Sequence, residues 1–290
     1  MKLNSSPSAR SAIRLVGEVA PSIVTAPVVD RLLHPRRLPM RDWEKPALAS
    51  TLRVTFRSGL SGLRWGDGMG PVVLAIHGWE GRATHYRYLG EALQRAGYSL
   101  LALDGPAHGA SPGHVAHPRL FAEAMIDAAV EIATERGRVH AVIGHSMGAG
   151  ALSYALSQGL EADRAVLIAG PSGYEAVVRG AAGVAGLGPR ATRHLLRAIE
   201  SRTGVAPEDV DVTRGLRDLD LPVLVVHDRN DEFVAFSHAQ RYLSVLPDTR
   251  LLETHDLGHW RVLTDPVTVE AITDFIVHPA AARTSWAAAA

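Results

Sequence analysis

The stretch from Val139 to Ser157 constrains the fold of this chain more than any other. It starts with an apolar run rich in β-branched residues, passes through Gly144-His145-Ser146-Met147-Gly148, and continues with small and apolar residues at helical spacing. This pattern predicts a buried parallel strand that turns sharply into a helix, with Ser146 at the tip of the turn. Glycines suit positions 144 and 148 because side chains there would clash where strand and helix pass close together.

Apolar runs of strand length recur along the chain, and segments with helical spacing lie between several of them. This alternation predicts an α/β fold, with a mostly parallel central sheet and helices on both faces. Besides the run before Ser146, central strands are expected at Pro71–Ile76, Tyr98–Leu103, Arg164–Ala169 and Leu221–Val226. Two earlier runs, Thr51–Arg57 and Gly62–Trp65, predict an antiparallel hairpin at a sheet edge.

Residues 1–48 are interpreted as an N-terminal helical extension. Short amphipathic helices are expected at Ser11–Ala20 and Ser22–Leu33, followed by a linker without regular pattern over Pro35–Pro46. We expect the helices to pack against the main domain. The alternative is a peripheral membrane anchor, which the small size of the basic cluster in this region disfavours.

Residues 49–279 are expected to form the α/β domain itself. The alternation breaks down over 171–217, where a Gly-rich stretch at 180–188 precedes a helix candidate at Pro189–Ser201. An insertion of this kind between two strands is typical of a small helical cap over the edge of the sheet. The alanine-rich residues 280–290 are predicted to be a disordered tail.

Composition narrows the classes of function. Thirty basic and thirty acidic residues balance to zero net charge, which removes any whole-protein electrostatic argument for nucleic acid or an anionic membrane as partner. The absence of cysteine excludes disulfides, thiolate metal sites and a cysteine nucleophile. No metal-binding or nucleotide-binding motif is present, so no cofactor is expected. No apolar run approaches the roughly 18 residues of a membrane span, and the N-terminus makes a poor signal peptide, so a cytoplasmic location is predicted.

Polar residues with chemical potential follow several of the predicted strands. Sites in mostly parallel sheets form beyond the carboxyl ends of the strands, and this edge is expected to gather His77-Gly78-Trp79, Asp104, Ser146, Asp231 and His259. A serine hydroxyl is a poor nucleophile until a base accepts its proton. An imidazole is suited to that task when a carboxylate fixes its tautomer.

The order serine, aspartate, histidine along the chain resembles that of the α/β-hydrolase family. The resemblance covers roughly residues 50–278 and rests on His77-Gly78-Trp79, Asp104–Ser111, Gly144–Gly148, and Asp231 with Gly258-His259. It implies the α/β-hydrolase fold. The segment that starts at Asp104 is similar to the D-x-P-G-H-G-x-S motif of the family, with Ala107 in place of a glycine, and is interpreted as scaffold.

The resemblance also implies a role for individual residues. Ser146 corresponds to the nucleophile, His259 to the general base and then acid, and Asp231 to the carboxylate that orients it. The oxyanion hole would be formed by the backbone N–H groups of Trp79 and Met147.

Some assignments have competitors in the same segments. Asp228 is the rival of Asp231 for the carboxylate, and His255 is the weaker rival of His259 for the base. His77 and His145 are expected to brace loops rather than transfer protons. The role of Glu80, at the mouth or simply solvated, stays open.

The predicted function is hydrolysis of a carboxylic ester by an acyl-enzyme mechanism. Trp79, Tyr174 and Trp260 are the predicted substrate-binding residues, and their apolar character favours a small to medium substrate with an apolar acyl or alcohol part. The alternatives are an acyltransferase or thioesterase on the same scaffold, or a ligand-binding descendant without catalysis. Oligomeric state and physiological substrate stay undetermined at this level.

Overall fold

The structure is a computed structural model that describes residues 7–278, so the predicted tail at 280–290 lies outside it. The strands are β1 (Leu52–Thr55), β2 (Ser61–Trp65), β3 (Val72–Ile76), β4 (Ser99–Leu103), β5 (Ala141–His145), β6 (Ala165–Ile168), β7 (Val223–Asp228) and β8 (Thr249–Thr254). The helices are α1 (Pro7–Val19), α2 (Pro21–Leu33), α3 (Lys45–Ala49), α4 (Arg87–Arg95), α5 (Pro118–Arg136), α6 (Met147–Ser157), α7 (Tyr174–Val184), α8 (Pro189–Thr203), α9 (Ser237–Val245), α10 (Gly258–Arg261) and α11 (Pro266–Val277).

All eight strands form one sheet in the order β1-β2-β4-β3-β5-β6-β7-β8. The six strands from β4 to β8 in that order are parallel, whereas β2 runs antiparallel to both β1 and β4. The predicted mostly parallel sheet and the antiparallel hairpin at its edge are therefore confirmed. The carboxyl ends of the parallel strands meet at one edge, where ligand sites form in sheets of this type.

Side chains of the central strands alternate between two cores, one on each face of the sheet. In β3, Val72, Leu74 and Ile76 face a core shared with α5 and α6, whereas Val73 and Ala75 face a core shared with α4 and α11. Because these strands are covered on both faces, their sequences are continuous apolar runs rather than alternating ones.

The predicted cap contains two helices, α7 and α8, of which sequence analysis anticipated only the second. Gly180 and Gly183 lower the helical propensity of the α7 segment. Tyr174, Val178 and Ala182 nevertheless recur at four-residue spacing and bury one face of α7. Packing of that face outweighs the propensity of the two glycines.

The N-terminal helices pack on the cap. Val29 and Leu33 of α2 are buried in one cluster with Leu195 and Ile199 of α8, and α1 packs against both α2 and α8. The helices were expected on the main domain; they pack mainly on the cap, and α2 also contacts the main domain directly, since Arg31 pairs with Glu80 and the Ala116 N–H donates to the carbonyl of Leu33. Within residues 7–278 no single helix is long and apolar enough to cross a membrane; α1 and α2 pass that test only as a pair, across a bend of 110°.

Two connecting segments differ in detail from expectation. The linker after α2 is irregular as predicted, but its last residues form a turn and then α3, which begins at Lys45. The sequence pattern of Gly258–Trp260, after the last strand-like run, predicts a loop, but the segment lies within the single helical turn α10.

Candidate active site

Ser146 lies at the junction of β5 and α6, with φ 56° and ψ −124°. A positive φ is uncommon for a residue other than glycine and stores strain in the turn. The Ser146 N–H donates to the carbonyl of Ile168 on the neighbouring strand at 2.8 Å, which holds the turn against the sheet. Gly148 permits the close approach of α6 to the end of β3, because a Cβ there would lie 2.5 Å from the carbonyl oxygen of His77.

The fold brings Ser146, His259 and Asp231 together although they are far apart in the sequence. The Ser146 hydroxyl lies 2.8 Å from Nε2 of His259, and Nδ1 of His259 lies 2.7 Å from Oδ2 of Asp231. Because a carboxylate only accepts hydrogen bonds, Nδ1 carries the proton and Nε2 presents its lone pair to the hydroxyl. Asp231 and His259 are only 8% and 5% exposed, so the pair is shielded from bulk water.

The carboxylate of Asp231 stays charged despite its burial. Burial by itself raises the pKa of Asp231, but the hydrogen bond from His259 and the backbone N–H groups of Val234 and Phe233 bring this pKa below its ordinary value. The two backbone N–H groups donate to Oδ1 at 3.0 and 2.7 Å, which leaves Oδ2 for the imidazole. A charged carboxylate in this position fixes the tautomer of the histidine and stabilises its protonated form.

Asp228 and His255, the alternative candidates for the carboxylate and the base, make other contacts. Asp228 is fully buried and accepts hydrogen bonds from the backbone N–H groups of Asn230 and Leu257 and from the hydroxyl of Thr254. It ties the loops after β7 and β8 together. The side chain of His255 is 55% exposed and lies 3.3 Å from the carboxylate of Glu253.

The loop after β3 is braced by the buried His77. Its Nδ1 donates to the carbonyl of Gly78 at 2.7 Å, and its Nε2 accepts the N–H of Gly105 at 2.9 Å. Burial lowers the pKa of His77 well below its usual range, so the ring is neutral and can play both roles. Gly78 is required because a Cβ there would lie 2.6 Å from the Cβ of Ser146.

The backbone N–H groups of Trp79 and Met147 donate to no acceptor within residues 7–278. Both residues line the cavity into which Ser146 opens. Both N–H groups are therefore available to a hydrogen-bond acceptor bound in this cavity.

The buried His145 holds the backbone of His259 in place. Its Nε2 donates to the backbone carbonyl of His259 at 2.9 Å, and the two rings lie 5.0 Å apart. Burial lowers the pKa of His145 well below its usual range, so it acts as a neutral donor. This contact positions α10, which carries His259.

Glu80, whose role the sequence left open, anchors the N-terminal segment to the loop after β3. Its carboxylate accepts hydrogen bonds from Arg36 and lies 3.1 Å from Nη2 of Arg31. Glu80 itself has φ 56°, and its N–H donates to Nε2 of His108 at 2.9 Å. Glu80, which directly follows Trp79, is therefore held through both its carboxylate and its backbone N–H.

The segment that begins at Asp104 serves as scaffold in the structure. The Asp104 carboxylate accepts the backbone N–H groups of Ala83 and Ala110 at 2.7 and 2.8 Å. Arg37 donates to the carbonyls of Gly109 and Ser111 from the outside. Ala107, which replaces a glycine of the family motif, has φ 63° and so adopts the conformation that favours glycine.

The main cavity has a volume of about 850 Å³ and lies between the sheet edge, the cap and the N-terminal extension. The three predicted substrate-binding residues, Trp79, Tyr174 and Trp260, all line it. So do Arg31 and Arg36, which sequence analysis did not assign to the site. They come from a segment that precedes the α/β domain by sequence, and no local pattern marks them.

Two further features of this cavity, an exposed phenylalanine and a second serine–histidine pair, were not predicted from the sequence. Phe233 lies two residues after Asp231, is 65% exposed, and its ring is 5.2 Å from that of His259. Ser172 forms a second serine–histidine pair, with its hydroxyl 2.9 Å from Nδ1 of His238. That nitrogen also accepts the Ser172 N–H at 3.1 Å.

The second pair is a weaker candidate for proton transfer than the first. The lone pair of His238 Nδ1 is already engaged by the Ser172 N–H, and burial, together with the proximity of His227 and the positive charge of Arg241, lowers the pKa of His238. No hydrogen bond to a carboxylate orients His238 within residues 7–278.

Comparisons with known proteins agree with the geometry. The family model described as serine aminopeptidase, S33, matches residues 69–205, slightly less than half of the chain. A serine hydrolase-like protein of Dictyostelium discoideum is 30% identical over 82 residues, which is 28% of this chain and 23% of that protein. The chain thus spans less than a quarter of the length of this curated relative.

Solved structures match over most of the chain. An esterase from Pyrococcus furiosus shares 23% identity, with 85% of this chain and 96% of that chain covered and a TM-score of 0.62. The esterase domain of a Rhodothermus marinus protein shares 16% identity, with 80% and 97% covered and a TM-score of 0.57. The 2-hydroxy-6-oxo-6-phenylhexa-2,4-dienoate hydrolase from a Rhodococcus species shares 17% identity, with 78% of this chain and 98% of that chain covered and a TM-score of 0.58. Sheet order, turn geometry and these matches together show that the chain has the α/β-hydrolase fold.

Proposed function

We propose that the protein is a serine hydrolase that cleaves carboxylic esters through an acyl-enzyme on Ser146. The observation that carries this proposal is the pair of contacts at 2.8 and 2.7 Å that link Ser146, His259 and Asp231 at the wall of a large cavity. A protein that only binds a ligand has no use for a base placed in this way.

In the first half of the reaction, the Ser146 hydroxyl attacks the ester carbonyl carbon while its proton passes to Nε2 of His259. Negative charge develops on the carbonyl oxygen and is stabilised by the N–H groups of Trp79 and Met147. The loss of one such donor typically costs about 3 kcal/mol of transition-state stabilisation. The tetrahedral intermediate collapses when the bond to the leaving oxygen breaks and His259 returns its proton to that oxygen.

In the second half, a water molecule attacks the acyl-enzyme. His259 accepts a proton from this water, the oxyanion forms again, and the proton then returns to Ser146 as the acid leaves. Asp231 stays ionised throughout and stabilises the imidazolium in both halves.

The walls of the main cavity favour an apolar acyl chain. Aliphatic side chains of α7, including Val177 and Val184, face the cavity together with the aromatic rings of Trp79 and Phe233. The volume exceeds what an acetyl group fills, so medium-length chains are expected to gain more binding energy from burial than short ones.

Esters are favoured over peptides with a free amino terminus by the charges of the cavity. An α-ammonium group needs an unpaired carboxylate nearby, because burial of an unpaired charge is costly. Two carboxylates line the cavity, and both already have arginine partners: Glu80 has Arg31 and Arg36, and Asp211 has Arg241. Aminoacyl p-nitroanilides are therefore expected to be much poorer substrates than p-nitrophenyl esters.

The test is a hydrolysis assay on p-nitrophenyl esters graded from acetate to palmitate. The wild type should show an optimum at intermediate chain length, Ser146→Ala should lose turnover, and the exposed control Ser244→Ala should match the wild type. Turnover that persists in Ser146→Ala, or a preference for aminoacyl p-nitroanilides over every ester, would overturn the proposal.

A further inference from the structure

A second cavity, of about 400 Å³, lies beside the main one. Residues 38–44 of the N-terminal segment supply one of its walls, and α4, α10 and the loop after β3 supply the others. Trp79, Glu80 and Trp260 line both cavities, so the two cavities meet at these side chains. The second cavity thus adjoins the proposed oxyanion donor and the proposed base.

A row of rings connects His259 with the second cavity. The His259 ring lies 5.1 Å from that of Trp260, Trp260 lies 5.9 Å from His85, and His85 lies 5.5 Å from Trp43. Tyr88 adds a further ring to the wall. A planar aromatic group can stack or meet these rings edge to face with a gain beyond simple burial.

The carboxylates in this wall are already satisfied. Glu44 is almost fully buried; it accepts the hydroxyl of Thr84 at 2.7 Å and the N–H of Arg41 at 3.0 Å, and lies 3.5 Å from Nε of Arg82. Glu80 is paired with two arginines that line the main cavity. Neither carboxylate is left to neutralise a further cation.

Two guanidinium groups of the wall have no carboxylate partner within residues 7–278. Arg261 donates instead to the backbone carbonyls of Leu257 and Asp256, and Arg41 pairs with no carboxylate. Burial lowers the pKa of the neighbouring His85 to about 4, so that ring is uncharged at neutral pH. The charge that remains unbalanced in this cavity is therefore positive.

We propose that the second cavity holds the leaving group of the ester and that this group is an aromatic alcohol with a negative charge, such as a carboxylate. The proposal rests on the proposed function. His259 must protonate the leaving oxygen when the bond to the carbonyl carbon breaks, so the leaving group lies on the His259 side of Ser146. The Trp260 ring lies 5.1 Å from that of His259 and lines the second cavity, so this cavity lies on that side, and the acyl chain is assigned to the main cavity.

The test compares 4-butanoyloxybenzoate with its methyl ester, whose leaving group is neutral and one methyl group larger, and release of the phenol is followed for both. Intrinsic reactivity cancels when the ratio of the two kcat/KM values is compared between enzyme variants. The double variant Arg41→Gln, Arg261→Gln should lower kcat/KM for the anionic ester about tenfold and leave the neutral ester nearly unchanged, since two partly exposed charges contribute modestly each. Arg95→Gln, an exposed arginine at the end of α4, should change neither value.

Binding is measured separately from turnover, by calorimetry with 4-hydroxybenzoate on Ser146→Ala protein. We expect saturable binding that the double arginine variant weakens about tenfold, and competitive inhibition of the wild type by the same compound. Equal losses on both esters, or no binding, would overturn the proposal. Binding with noncompetitive inhibition would identify a separate effector site and overturn the leaving-group assignment.

The two proposals fail in different ways. If no ester is turned over but 4-hydroxybenzoate binds and depends on Arg41 and Arg261, the proposed function is wrong, and the leaving-group role falls with it. If esters are hydrolysed through Ser146 and the double arginine variant leaves the ratio of the two kcat/KM values unchanged, only the assignment of the second cavity is wrong.

Discussion

Arg36 donates three hydrogen bonds to Glu80: its backbone N–H and Nε reach Oε1 at 3.0 and 2.9 Å, and Nη2 reaches Oε2 at 3.0 Å. Glu80 directly follows Trp79, whose N–H is a proposed oxyanion donor. The N-terminal extension is therefore linked by one side-chain pair to the loop that would stabilise the transition state.

Glu80→Gln is expected to lower the melting temperature at pH 7. Burial by itself raises the pKa of Glu80, but the hydrogen bonds from Arg36 and the charges of Arg31 and Arg36 bring it below its ordinary value of 4.5. A depressed native pKa stabilises the fold above the unfolded-state value, and this contribution disappears as pH falls through the native pKa. The difference in melting temperature between wild type and variant should therefore be largest at pH 7 and disappear as the pH falls below 4.5.

The control for this prediction is Glu91→Gln. Glu91 pairs with Arg87 at a spacing of four residues on α4, away from the loop after β3. Removal of this pair should lower the melting temperature only slightly and leave kcat unchanged. Glu80→Gln, in contrast, should also lower kcat by displacing Trp79. A difference for Glu80→Gln that grows on acidification would contradict the assigned pKa direction.

Gly148→Ala and Gly183→Ala should change stability in opposite directions. A Cβ at Gly148 would lie 2.5 and 2.6 Å from the carbonyl oxygens of His77 and Ile76, so backbone must shift, at a cost of about 2 kcal/mol or more. A Cβ at Gly183 meets nothing within 4 Å, and alanine is the better helix former by about 1 kcal/mol. Urea unfolding measures both, and a stabilised Gly148→Ala would show that the turn is built differently.

Leu33→Ala should destabilise the protein by about 2–5 kcal/mol, because Leu33 is 2% exposed in the core shared by α2 and the cap. Ile23→Ala on the same helix is the matched control, since Ile23 is 67% exposed and its truncation should stay within about 0.5 kcal/mol. Similar unfolding midpoints for the two variants would mean that α2 does not pack on the cap in solution.

Asp231→Asn and Asp228→Asn separate the two candidate carboxylates. The first should lower kcat/KM by about 10³–10⁴-fold, because the amide no longer fixes the tautomer of His259. The second should lower stability by about 1–3 kcal/mol, since Asp228 satisfies the N–H groups of Asn230 and Leu257. Kinetics and thermal unfolding of both variants are compared at a temperature where both are folded; a reversed pattern would make Asp228 the partner of the base.

Local sequence patterns were sufficient to predict the sheet and the grouping of Ser146, Asp231 and His259. Each of these residues follows a strand, and the strand pattern alone predicts that such residues share one edge. The partners of Glu80 could not be predicted in this way, because Arg36 lies 44 residues away and no periodicity relates the two. Helix α7 was not predicted because its glycines lower the helical propensity of the segment, and the packing that stabilises its buried face exists only in the folded chain. The Ser172–His238 pair joins the cap to α9 and likewise exists only in the folded chain.

The most direct test of the acyl-enzyme is labelling with a fluorophosphonate, followed by mass spectrometry of the modified peptide. Ser146 and Ser172 both line the main cavity and both lie near a histidine, so each serves as the control for the other. The account predicts one label per chain on Ser146, retained in Ser172→Ala and absent from Ser146→Ala. A label on Ser172, or a wild-type protein that does not react at all, would contradict the account.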